Sequence, residues 1–261
     1  MIRRTLRRVG VSRRRLLSER VRLERNLLAR RPGSASPAKV LCYHSVGQPE
    51  YGLNDVTPAQ FRRHLDIVVD QGFQFVTASA IAAGSAPPGS IALTFDDALR
   101  SVHDVAAPLL LERQIPFSVF VVSSWCDQLE AWQRQQVMPW SAVSALVEVG
   151  CDVGSHSATH PRFSALAGSA VLEELMVSRR TITDNTGVEA TSFAIPFGQS
   201  GDWSVQAGVD ARQAGYQVVY AQSELLRPLC TVGRTFISRH DTDRVFRAAL
   251  GGAFDAWEEP T

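Results

Sequence analysis

Two adjacent acids and a pair of histidines are the side chains best placed to do chemistry in this chain. Asp96 and Asp97 close the apolar run Ile91-Ala92-Leu93-Thr94-Phe95. His156 and His160 sit four residues apart in Ser155-His156-Ser157-Ala158-Thr159-His160. Two neutral imidazoles and one carboxylate, Asp97, suit zinc or a similar divalent ion with a coordination position left open. An H-x-x-x-H pair alone reads equally well as two structural histidines. Here each half of the constellation follows a strand-like run, which favours a site. Asp96 would then lie close enough to act as general base on a water at the ion. Ser157 could orient a ligand from behind.

The elements that must position these groups can be read from periodicity. Ile91–Phe95 is a short apolar run preceded by Pro87-Pro88-Gly89-Ser90, the pattern of a buried strand. Side chains alternate along a strand. Only past its end can both carboxylates turn into one cleft. Further strands are predicted at Val40–His44, Phe73–Val76, Phe117–Val122, Cys151–Gly154, Thr191–Ile195, Gln217–Ala221 and Thr235–Ser238. Helices are predicted at Thr57–Asp70, Ala78–Ala83, Leu99–Gln114 with a bend at Pro108, Trp140–Val149, Ala170–Thr186, Asp202–Ala214 and Asp243–Leu250. Ser124–Met138, with Trp125 and Trp132, has no clear period. Strands alternating with helices argue for a parallel sheet, open or closed into a barrel.

Composition separates two parts. Residues 1–31 hold 12 Arg and two Glu, a net of +10, leaving −9 for the rest of a chain whose total is +1. The basic head spaces its apolar residues as an amphipathic helix does, which suits an anionic membrane surface through residues 1–31. A solvated arm fits equally well, and nothing in the acidic body supports nucleic-acid binding. Pro32–Pro37 reads as a linker, giving a basic arm over 1–37 and a folded domain over 38–255. No stretch reaches the 18 or so apolar residues of a membrane span, and no signal-peptide core follows the first arginines. The expectation is a cytoplasmic protein, with the inner face of the membrane as its place of work. Cys42, Cys126, Cys151 and Cys230 are widely spaced and read as free thiols.

Thr94-Phe95-Asp96-Asp97 together with His156-Ser157-Ala158-Thr159-His160 resembles the polysaccharide deacetylases, the NodB-homology or carbohydrate esterase family 4 domain. Phe193-Ala194-Ile195-Pro196-Phe197-Gly198 resembles their third motif, and Leu41-Cys42-Tyr43-His44-Ser45-Val46 their opening strand. The likeness runs over roughly 38–252. It implies an α/β fold, a distorted (β/α) barrel of about seven parallel strands. It implies a divalent metal, zinc by preference, on Asp97, His156 and His160, with Asp96 as base. An oxyanion would be met by the backbone N–H of Phe197, beside Pro196. The implied reaction removes an N-acetyl group from an amino sugar in a poly- or oligosaccharide or a lipid-linked glycan.

Three departures accompany the likeness. Ala98 stands where glycine is common. The third-motif arginine that pairs with the base is missing, with Thr191 and Ser192 nearby. The late Leu-x-His segment that supplies the general acid is not evident. His44, at the end of the opening strand, and His240, in Ser238-Arg239-His240-Asp241, are the candidates to replace it. Asp202-Trp203 is similar to a family Asp-Trp pair but falls at a predicted helix start. The alternatives are a non-catalytic carbohydrate-binding relative, or a hydrolase of another non-peptide C–N bond on the same scaffold.

Overall fold

In the computed structural model, which describes residues 38–222, 230–253 and 255, the alternation of the strands sorts side chains into two cores. The residues expected to form the basic arm, 1–37, lie outside the described residues. Strands β1 (Lys39–Tyr43), β5 (Ser90–Phe95), β6 (Phe117–Val121), β7 (Asp152–Ser155), β8 (Ser192–Ala194), β9 (Val218–Ala221) and β10 (Thr231–Phe236) are all parallel to their neighbours. β1 pairs with both β10 and β5, so the seven strands close into a barrel. β4 (Gln74–Phe75) adds to the outer side of β5, and β2 (Ser45–Val46) pairs with β3 (Asp55–Val56) beside the rim.

Leu41, Tyr43, Leu93, Phe95, Val119, Val121, Val153 and Phe193 pack in the large core with the surrounding helices. Their neighbours in sequence, Val40, Ala92, Phe120, Ala194 and Tyr220, fill the barrel interior. Burial on both faces explains why these strands read as unbroken apolar runs. Gly154 is required there, because a Cβ would stand 2.5 Å from the Phe120 ring and 2.4 Å from Ser192 Oγ. The barrel is thus a packed core whose chemistry is confined to the rim at the carboxyl ends of the strands.

The helices are α1 (Pro58–Asp70), α2 (Ala78–Ala82), α3 (Ala107–Glu112), α4 (Ser123–Cys126), α5 (Ala131–Gln136), α6 (Trp140–Glu148), α7 (Ala170–Thr186), α8 (Val205–Gln213) and α9 (Asp243–Leu250). Thr57 caps α1 by accepting from the Gln60 amide, and Gly187 ends α7 in the left-handed region. Pro108 lies in the first turn of α3, directly after a π turn over Val102–Ala106, so the Leu99–Gln114 helix is irregular next to the residue where a bend was expected. Two expectations need correction. Asp202 and Trp203 precede α8, whose cap is Ser204. The last strand starts at Thr231, four residues before the sequence pattern suggested. The unreadable stretch holds α4 and α5. All four cysteines are free, Cys230 exposed and the others buried. No helix among the described residues is long and apolar enough to cross a membrane.

α1 packs on α9 through His64, whose ring stacks 3.9 Å from Phe246 and whose Nδ1 lies 3.0 Å from Tyr43 Oη. Burial pushes the His64 imidazole down to about 4. The unfolded chain therefore binds the extra proton between about pH 6.5 and 4. This contribution to stability is complete above the unfolded value and declines as pH falls, by up to about 3 kcal/mol. Denaturant melts at pH 7 and pH 4.5 should show a smaller acid loss for His64→Phe than for the parent. Equal losses would mean that His64 is not part of the acid response.

Candidate metal centre and active site

Strand ends bring Asp97, His156 and His160 together on the rim, and a ligand atom from each lies within 4.8 Å of the others. The hydrogen bonds around them leave metal-binding lone pairs vacant. His156 Nδ1 lies 2.8 Å from the Ala194 carbonyl, which can only accept, so this nitrogen carries the proton and Nε2 keeps its lone pair. Tyr51 Oη donates to Asp97 Oδ2 at 2.5 Å. Asp97 Oδ1 is buried with no hydrogen-bond partner. It stands 3.7 Å from His156 Nε2 and 3.6 Å from His160 Nε2. Ligands about 2.0–2.1 Å from a tetrahedral zinc would be about 3.3 Å apart, so a small contraction would seat the ion. Burial lowers the His160 imidazole to about 4, leaving it neutral as a ligand must be. The donor set therefore fits a divalent cation.

The backbone is shaped for this. Asp97 has φ 69°, Ala98 φ 49°, Ser157 φ 71°, His160 φ 60° and Phe197 φ 64°. Left-handed non-glycine residues are strained and cluster at functional sites. The turn at Asp97 is what lets neighbouring acids share one cleft. Ala98, where glycine was expected, adopts the left-handed conformation itself, and its carbonyl accepts from the Met138 amide at 2.9 Å.

Asp96 is fully buried and faces Arg234 of β10 in a two-pronged ion pair, Nη1 to Oδ1 at 2.7 Å and Nη2 to Oδ2 at 2.8 Å. Burial alone would raise this carboxyl. Arg234 and His156 outweigh that and hold it well below the usual carboxylate range. Arg234 is itself wholly buried, also donates to Thr94 Oγ1 at 3.2 Å, and lies over the Phe120 ring at 5.2 Å. Asp96 thus has a cationic partner, delivered from the last strand instead of the third motif. Cys42 Sγ lies 3.4 Å from Asp96 Oδ2 and receives Gln222 Nε2 at 3.3 Å. Gln222 comes this close because residue 198 is glycine, where a Cβ would be 2.8 Å from the Gln222 amide nitrogen.

His44 extends β1 into the same cleft, and it, Cys42 and Asp96 also bring ligand atoms within 4.8 Å. That group is a poor cation site. Both Asp96 oxygens hold the guanidinium, and burial pushes the Cys42 thiol far up. His44 Nδ1 is buried without a partner, and burial lowers the imidazole despite the nearby acids. His240 lies in the turn after β10, half-buried, with its amide on Ser238 Oγ at 3.3 Å. Pro196 is buried just past β8, and the Phe197 ring packs 4.8 Å from His160. Arg162 covers Phe197 at 4.1 Å and pairs with buried Asp202 at 2.7 Å. Trp203 packs on Phe163 and Phe193. The Asp-Trp pair therefore supports the Phe197 loop. Trp125 flanks His160 at 5.4 Å.

Sequence reasoning located Asp96, Asp97, His156, His160 and His44 and missed Arg234, Tyr51 and Gln222. Arg234 alone left a usable trace, a charged residue between Val232 and Phe236 on one face of an apolar strand.

Comparison with known proteins bears on the fold and the family. A search of curated proteins found no match. Among solved structures, a Streptococcus pyogenes deacetylase, PplD, in complex with acetate superposes with a TM-score of 0.70 at 18% identity, covering 83% of this chain and 99% of that one. IcaB from Ammonifex degensii gives 0.68 at 24%, covering 83% and 97%. A de-N-acetylase from Aggregatibacter actinomycetemcomitans gives 0.69 at 20%, covering 81% and 98%. At these identities the likeness establishes the barrel fold. The sequence pattern of the polysaccharide deacetylase family matches residues 83–219, more than half of the chain. The chain belongs to the polysaccharide deacetylase family, hydrolases of carbon–nitrogen bonds other than peptide bonds.

Proposed function

We propose that this protein is a metal-dependent N-deacetylase that releases acetate from an N-acetylated amino sugar within a glycan. The observation that carries the reading is the bare, buried Asp97 Oδ1 facing two imidazole nitrogens, beside a carboxylate clamped by Arg234. Asp97, His156 and His160 would hold the cation. A divalent ion there would polarise the acyl oxygen and make water acidic enough to attack at neutral pH.

The chain supplies the rest. Asp96, fixed by Arg234 with Cys42 against Oδ2, takes the proton from the attacking water. The Phe197 amide would meet the developing oxyanion. His44 faces the same cleft and is the side chain placed to give a proton to the departing amine. The bidentate partner on Asp96 favours catalysis over simple carbohydrate binding, which has no use for an aimed base. Zinc is the preferred ion from the N2O donor set.

The test combines metal analysis of the purified protein with acetate release from short N-acetylglucosamine oligomers, with and without chelator. We expect one bound divalent ion, chelator-sensitive acetate release, and loss of both in His156→Ala. His44→Ala should keep the metal and lose turnover. A metal-loaded protein that frees no acetate from any N-acetyl sugar would defeat the reading.

A further inference from the structure

Both imidazoles ride on one loop, and that loop is gripped from below by α7. Glu174 Oε2 accepts from the amides of Ala158 and Thr159, each at 2.9 Å, and its Oε1 accepts from Thr159 Oγ1 at 2.7 Å. One turn on, Ser178 Oγ meets Ser155 Oγ at 2.8 Å. Ser155 Oγ in turn accepts from the Ser157 amide at 3.2 Å, and Ser157 Oγ accepts from the His160 amide at 2.9 Å. The opposite side is held by the amides of Ser123 and Ser124 on the carbonyls of Ser157 and Ala158.

We propose that Glu174 is a positioning residue for the cation, holding the His156–His160 loop in the conformation that aims both imidazoles at Asp97. This rests on the metal-dependent reading above. The physical need is plain. Ser157 and His160 both sit in the left-handed region, which a free loop would leave. An ionised carboxylate is the strongest acceptor available to two consecutive amides, and these bonds are charge-assisted. Glu174 touches neither imidazole. It acts by keeping His160 from relaxing away before the ion arrives, so its contribution belongs in affinity and not in the chemical step. Its neighbour Glu173 points to solvent from the same helix and serves as a control.

The experiment is competition for Zn2+ between a chromophoric chelator and the full chain, with thermal melts of the metal-free proteins alongside. Glu174→Ala should bind Zn2+ about 10–100-fold more weakly, as losses behind metal ligands do. Glu174→Gln keeps an acceptor without the charge and should fall between it and the parent. Glu173→Ala should match the parent. If Glu174→Ala does not fold, Glu174→Gln and Thr159→Val carry the test, each expected to weaken binding. Unchanged Zn2+ affinity in folded Glu174 variants would overturn the proposal, as would equal losses in Glu173→Ala. A parent protein that binds no Zn2+ would instead overturn the metal reading on which it stands.

Discussion

An Arg234→Met variant should lose about 3–5 kcal/mol of stability, the usual cost of stranding one member of a buried ion pair. It should also lose about a hundredfold or more in acetate release, since a base displaced by about 1 Å forfeits that much. Both effects come from one geometry. Two N–H groups of Arg234 end on the two oxygens of Asp96, and neither residue reaches solvent. Methionine fills the space but leaves the carboxylate with Cys42 as its remaining nearby donor. Metal content should stay near that of the parent, because Asp97, His156 and His160 do not contact Arg234. Arg234→Lys keeps the charge with one point of contact and should recover stability better than turnover. Denaturant melts, metal analysis and acetate release together decide the matter; full activity in Arg234→Met would remove Arg234 from the machinery.

Asp96→Asn should lower turnover by about 10²–10⁴ with metal retained. The amide keeps the shape of the carboxylate but cannot take a proton, and its NH2 faces guanidinium N–H groups that have no use for a donor. Some destabilisation should follow, since the Arg234 charge is then buried without its counterion. Loss of metal in this variant would show that Asp96 also helps to hold the ion, since its Oδ2 lies 3.7 Å from His156 Nε2, as Asp97 Oδ1 does. Turnover within tenfold of the parent would mean that another group removes the proton.

What could be read from the chain tracks how local each contact is. Asp96 and Asp97 are adjacent, and His156 and His160 share one loop, so spacing alone exposed them. The barrel was legible for a similar reason: strands buried on both faces leave apolar runs, and Gly72, Gly187 and Gly215 mark where the helical stretches end. Arg234 was passed over, despite the trace it leaves as a charge within an apolar strand, because it meets Asp96 across 138 residues and because the pattern of that strand was caught only from Thr235 onward. Tyr51 reaches Asp97 from an irregular turn that has no periodicity to read. Asp202-Trp203 looked accidental from its place near a helix start, and its role in bracing the Phe197 loop through Arg162 and Phe193 emerges only in three dimensions.

The position of Arg234 on β10 sets an order on biosynthesis. A ribosome delivers the candidate cation ligands by residue 160, while Arg234, the counterion of Asp96, arrives more than seventy residues later. Until β10 slots against β1, a nascent chain would hold Asp96 without that counterion. On the reading proposed above, competence waits for barrel closure, and a chain cut short before that strand should release no acetate.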